Sequence, residues 1–286
     1  MRPTYLTKKA IDAFINSALK EDIGSGDHSS LASIPANAKS KAQLLIKGDG
    51  ILAGIEMATY IFHAIDPSLK INNLLNDGDI VSIGDVGLIV EGSARSILTS
   101  ERLVLNCMQR MSGIATYTRD LSQLLNGSKA QLLDTRKTTP NFRLMEKWAV
   151  SIGGGTNHRF GLYDMVMLKD NHIDFCGGIK PAIDKTRKYL KENKLDLKIE
   201  VETRNLEEVQ EVMDAGGVDV IMLDNMMPSV MKEAIKIIDG KCKIEASGGI
   251  NESTIVEVAE CGVDFISVGA LTHSIKSMDI SLKAIK

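Results

Sequence analysis

Lys198-Ile199-Glu200-Val201-Glu202 and Val220-Ile221-Met222-Leu223-Asp224 are short apolar runs that each stop on a carboxylate. Four more runs to either side share the design: Ala130-Gln131-Leu132-Leu133-Asp134, Met165-Val166-Met167-Leu168-Lys169, Lys243-Ile244-Glu245-Ala246-Ser247 and Asp264-Phe265-Ile266-Ser267-Val268-Gly269. Amphipathic stretches separate most of them. This is a βα repeat, and it implies parallel strands joined by crossover helices. Barrels built this way carry their chemistry at the C-terminal strand ends. Here those ends supply Arg136, Lys137 and Lys169 as cations, Glu202 and Asp224 as anions, and Ser247-Gly248-Gly249 as a bare loop. A cationic pocket with two carboxylates and a glycine cup suits an anionic, phosphorylated substrate with a metal. Six repeats fall short of a full barrel. An incomplete barrel and a doubly wound open sheet are both open readings at this point.

The preceding part of the chain reads differently. Thr7 is placed as an N-cap, with Ile11, Phe14, Ile15, Ala18 and Leu19 on one helical face. Glu21 to Asp27 reads as a polar loop, 41–55 as strand, Gly48-Asp49-Gly50 turn, strand, and 56–65 as helix. Asp77-Gly78-Asp79 and Gly84-Asp85 punctuate further strands that end at Gly92. Residues up to about 95 thus form a separate small α+β domain. From Ala94 to Leu125 the pattern is helical, with a break expected at Ser112-Gly113.

The chain has 286 residues, 44% hydrophobic and 25% charged, which fits an ordinary globular protein of one large or two modest domains. A formal charge of -3 disfavours nucleic acid as a partner. No apolar run approaches the roughly 18 residues of a membrane span. The N-terminus reads without a signal peptide, and the four cysteines show no CxxC pairing. Reduced thiols, no membrane partner and a cytoplasmic protein are the expectations. GxGxxG and Walker A loops are absent.

Several segments bear donors for an anion. Arg136 offers a planar fork and Lys137 a point charge, although a solvated loop would look the same. Gly153-Gly154-Gly155 permits close backbone approach, with His158-Arg159 next, or is simply a flexible connector. Lys169 suits a Schiff base, an anion or a salt bridge. Glu202 and Asp224 end consecutive strands at corresponding positions, for magnesium, for sugar hydroxyls or for salt bridges with the lysines. Ser247-Gly248-Gly249, before a helix, and Val268-Gly269-Ala270 match the phosphate site that barrels place on their last strands.

Taken together, these segments resemble the quinolinate phosphoribosyltransferase family over essentially the whole chain. The motifs run in order: Glu21-Asp22-Ile23-Gly24-x-Gly26-Asp27, Glu101-Arg102-x-x-Leu105-Asn106, Ser112-Gly113-Ile114-Ala115-Thr116, Asp134-Thr135-Arg136-Lys137-Thr138, Gly153-Gly154-Gly155-x-Asn157-His158-Arg159, Leu168-Lys169-Asp170-Asn171-His172, Leu223-Asp224-Asn225, Ser247-Gly248-Gly249 and Val268-Gly269-Ala270-Leu271-Thr272-His273. The resemblance implies an α/β fold: an N-terminal α/β sandwich over residues 1–108 and an incomplete, TIM-like α/β barrel over 109–286, with the last residues free to pack back on the first domain. It implies transfer of the phosphoribosyl group of phosphoribosyl pyrophosphate (PRPP) to quinolinate, with magnesium. The products are nicotinate mononucleotide, pyrophosphate and carbon dioxide, a step of NAD synthesis. By the same analogy Arg136, His158, Arg159 and Lys169 bind the quinolinate carboxylates, and Arg102 joins them from the other subunit of a homodimer. Lys137 meets pyrophosphate, Glu202 and Asp224 the ribose hydroxyls and magnesium, and Ser247, Gly248, Gly249, Gly269 and Ala270 the 5-phosphate. The rivals are a type II enzyme that takes nicotinate without decarboxylation, a relative associated with molybdate transport, and a Schiff-base aldolase using Lys169.

Overall fold

The computed structural model describes residues 2–285. Along the chain come helix α1 (Lys8–Ile23), α2 (His28–Ser33), strands β1 (Lys39–Ile46) and β2 (Gly50–Ile51), α3 (Ile55–Ile65), β3 (Lys70–Asn73), β4 (Ile80–Val81), β5 (Val86–Ser93) and α4 (Ala94–Leu124). Then follow β6 (Gln131–Leu133), α5 (Arg143–Ile152), β7 (Val166–Leu168), α6 (Asp170–Cys176), α7 (Ile179–Asn193), β8 (Ile199–Thr203) and α8 (Leu206–Ala215). β9 (Val220–Asp224), α9 (Pro228–Ile238), β10 (Lys243–Ser247), α10 (Ile255–Glu260), β11 (Phe265–Ser267), α11 (Ala270–His273) and β12 (Ile280–Ala284) complete it. Two compact units result. Met1–Arg119, Thr138–Gly154 and Leu271–Lys286 form the first, Asp120–Lys137 and Gly155–Ala270 the second. A single cut at 108/109 falls inside α4.

In the first unit Thr7 caps α1, its Oγ1 accepting the Ala10 N–H at 3.1 Å, and Ile11 and Ile15 are buried. The helix runs on to Ile23, so the loop expected from Glu21 begins only at Gly24, whose φ of 52° ends the helix. The sheet has the order β12-β1-β5-β3, all antiparallel. β1 and β2 flank the Gly48-Asp49-Gly50 turn without pairing, since β2 joins β4 instead. The turn therefore passes the chain from one sheet to another.

The break expected at Ser112-Gly113 is not there: α4 is continuous from Ala94 to Leu124. Packing explains both residues. Ser112 Oγ accepts the Ala53 N–H at 2.9 Å and donates to the Ala53 carbonyl at 3.1 Å. A side chain at Gly113 would run into the Lys276 carbonyl oxygen. The glycine serves close approach of another segment, which local sequence reads as a helix breaker.

In the second unit the six runs are all strands. They form one parallel sheet in the order β6-β11-β10-β9-β8-β7. Its two end strands, β6 and β7, are the first two of the six along the chain, which is the arrangement of a barrel left open between them. Helices α6 to α9 are crossovers with one apolar stripe each. Among the described residues no helix is long and apolar enough to cross a membrane, and the four cysteines are unpaired.

Candidate active site

Residues paired across a parallel ladder share a face, as do residues two apart on one strand. Glu200 pairs with Met167 and Val220. Glu202 pairs with Met222, which pairs with Glu245. Asp224 pairs with Ser247. Glu200, Glu202, Asp224, Glu245 and Ser247 therefore project from one face, in successive rows toward the C-terminal end. Lys169, just past β7, joins them: its Nζ lies 3.2 Å from Glu202 Oε2.

The register corrects one expectation. Glu202 and Asp224 are not level, because β9 is staggered and Glu202 sits opposite Met222. Asp224 lies one row further out, part-exposed, accepting Asn225 Nδ2 at 2.7 Å. Glu202 is buried and paired with Lys169. The two do not make a closed cage, and the one group of His, Cys, Asp or Glu side chains close enough for that, among the described residues, lies elsewhere. An open carboxylate pair beside a lysine still fits magnesium of the kind that keeps waters and substrate phosphates as ligands.

The open edge of the sheet carries the next residues. Thr156 makes a single parallel bridge to Leu133, with its N–H donating to Leu132 O at 2.8 Å. That one-residue strand delivers Asn157, His158 and Arg159 beside the end of β6. Asp134, fully buried, accepts Asn157 Nδ2 at 2.6 Å and the His158 N–H at 2.9 Å. Burial, and then the neighbouring Arg136 charge, lower the Arg159 pKa below its ordinary value. Two half-buried guanidinium groups that repel each other are a ready seat for an anion. Lys137 is exposed on the loop after β6, and Arg102 is exposed on α4 in the first unit.

The glycine loops differ from their reading in detail. Gly153 caps α5, and a side chain there would strike the Ala115 carbonyl and Thr118 of α4, so its role is helix packing. Ser247-Gly248-Gly249 leads into an extended loop, since α10 starts only at Ile255. Gly248 has φ +99°, and a side chain there would collide with the Asn225 side chain and come within 2.8 Å of Asn225 N. Gly269 and Ala270 pass from β11 directly into α11. We expect Gly248→Ala to raise the KM for the phosphorylated substrate about tenfold and to cost more than ~1 kcal/mol of stability. Steady-state kinetics and urea unfolding measure the two.

Two residues of this face are not among those expected from the sequence. Glu200 and Glu245, almost fully buried, meet at the His158 ring. Each stands two residues before the end of its run, so period-two alternation carries them onto the face of Glu202 and Ser247.

The family models for the quinolinate phosphoribosyl transferase N-terminal and C-terminal domains match residues 27–112 and 114–283. The chain belongs to the quinolinate phosphoribosyltransferase family. It is 47% identical to "Quinolinate phosphoribosyltransferase [decarboxylating] 2b, mitochondrial" of Nicotiana tabacum, over 98% of this chain and 83% of that one. The same figures hold for "Nicotinate-nucleotide pyrophosphorylase [carboxylating], chloroplastic" of Arabidopsis thaliana. The crystal structure of NadC from Streptococcus pyogenes superposes with a TM-score of 0.91 at 41% identity, covering 99% of this chain and 100% of that one.

These relatives overturn the cytoplasmic expectation. Several members of the quinolinate phosphoribosyltransferase family this similar, from Nicotiana, Arabidopsis and Oryza, are named mitochondrial or chloroplastic. Unpaired thiols and the lack of an apolar span suit a reducing matrix or stroma as well as a cytosol, so they do not carry that assignment.

Proposed function

We infer that this chain transfers the phosphoribosyl group of PRPP to quinolinate with decarboxylation, yielding nicotinate mononucleotide, pyrophosphate and carbon dioxide in NAD biosynthesis. The observation that carries the substrate is the Arg136–Arg159 pair, with Arg159 touching Met167 of the strand that leads into Lys169, a cationic surplus that suits two carboxylates on one ring. In the reaction, the C1–O bond of PRPP breaks and pyrophosphate takes the electron pair. The pyridine nitrogen bonds to that carbon and becomes cationic. The C2–carboxylate bond then breaks, its electrons stay on C2 beside the ring cation, and C2 takes a proton from solvent.

The residues divide the task by position. Glu202 and Asp224 face the anomeric carbon and oppose its positive charge in the transition state. Lys137, on its loop, draws charge from the departing pyrophosphate. Glu202 and Asp224 would also hold magnesium together with PRPP oxygens, and that ion would neutralise leaving-group charge. Ser247, Gly248, Gly249, Gly269 and Ala270 line the 5-phosphate seat. Arg136, Arg159 and Lys169 hold the ring so that the departing carboxylate leaves water behind. Quinolinate, PRPP and magnesium should give carbon dioxide and pyrophosphate in equal amounts. Comparable turnover of nicotinate would sink the decarboxylating assignment.

Lys169→Ala should weaken quinolinate by about 2 kcal/mol and PRPP by much less, at the lower end for a charge partner because Lys169 starts half exposed. Calorimetric titration of both ligands checks this. Equal losses would place Lys169 with PRPP.

A further inference from the structure

His158 makes most of its contacts away from solvent. Its Nε2 lies 2.9 Å from Glu200 Oε2 and 3.4 Å from Glu245 Oε2, on two different strands. Its Nδ1 accepts the Arg159 N–H at 2.7 Å, so the hydrogen-bond pattern assigns the ring proton to Nε2. Its own N–H donates to Asp134 Oδ1. Side chains from β8 and β10 and the end of β6 thus hold a segment, Asn157 to Arg159, that has no regular secondary structure. Arg159 continues from that anchor, its Nη1 reaching the Met165 carbonyl at 3.3 Å.

Two carboxylates buried this deeply are costly, and apolar residues of similar volume would serve a core better. Both Glu200 and Glu245 also keep one buried oxygen, Oε1, without a hydrogen-bond partner. An arrangement this expensive in a parallel sheet calls for an explanation beyond packing.

We propose, on the reading of Arg159 as a quinolinate ligand, that Glu200 and Glu245 are positioning residues: they clamp His158 so that Arg159 is presented beside Arg136 in one fixed place. The charged neighbours facing the cluster are Asp134 at the His158 backbone and Arg159, with Arg136 beyond.

The test is Glu245→Gln, which keeps the shape and an acceptor but removes a charge. The KM for quinolinate should rise about tenfold at neutral pH, as for a weakened charge-assisted hydrogen bond, while kcat and the PRPP KM move less than about twofold. Glu245→Asp should restore part of the lost quinolinate affinity. Nitrogen NMR of labelled histidines, without ligand, should show the His158 signal altered in Glu245→Gln. That readout tests the clamp apart from activity, whereas carbon dioxide release by wild type tests the underlying reaction. Equal rises in both KM values would overturn the proposal. So would an unchanged quinolinate KM in a folded variant. A stoichiometric metal ion in wild type, lost from Glu245→Gln, would also overturn it, since coordination would then link the groups.

Discussion

Subunits carrying Arg102→Ala and subunits carrying Lys137→Ala, each nearly inactive alone, should recover roughly a quarter of wild-type activity when mixed in equal amounts and allowed to exchange. The expectation rests on the proposed homodimer in which Arg102 completes the partner's site. Arg102 is exposed on α4 of the first unit, and Lys137 on the loop after β6 of the second. Half of randomly assembled dimers are mixed. In each of these, the site with intact Lys137 receives intact Arg102, and the other carries both lesions. Losses in the parent variants should reach about a hundredfold, since one donates to a leaving group and the other to a carboxylate. Activity of the mixture, with exchange followed by tagged chains, makes the measurement. No recovery despite proven exchange would mean that Arg102 serves its own subunit or none.

Asp224→Ala should lower kcat by about 10²–10³ while leaving the melting temperature close to that of wild type. Asp224 closes β9 at its C-terminal end, is part-exposed, and accepts a hydrogen bond from the adjacent Asn225 side chain. Nothing in that setting resembles a core residue. Glu202, buried and paired with Lys169, should behave differently and lose stability as well. Thermal unfolding alongside single-turnover kinetics separates them. A large fall in melting temperature for Asp224→Ala would make the residue structural and remove its role at the anomeric carbon.

The second unit was the more legible because each strand is a short apolar run between amphipathic stretches, a pattern set by burial alone. The first unit was harder to read where tertiary contacts override local signals. Ser112-Gly113 carries a helix-breaking signature, yet Ala53 satisfies the serine and the Lys276 carbonyl explains the glycine. β3 has one part-buried apolar residue, Ile71, and no alternation to detect. At the site, strand ends point to Lys169, Glu202, Asp224 and Ser247, whereas Glu200 and Glu245 lie two residues before the ends of their runs. Alternation would have placed both on the same face. The stagger that puts Asp224 one row beyond Glu202 is a property of the sheet, which no single strand encodes.

The last strand has a consequence for synthesis. β1 pairs with β12 on one side and β5 on the other, through registers such as Leu44 with Leu282 and Leu44 with Leu88. On the ribosome β1 emerges early and β12 only after the entire second unit. Throughout that interval β1 is an open edge, with unpaired backbone donors that another nascent chain could join. Lys39 and Lys41 on β1 are charges of the kind that discourage such joining. Translation speed and chaperone supply, more than final stability, should then govern how much of this protein reaches the cell intact.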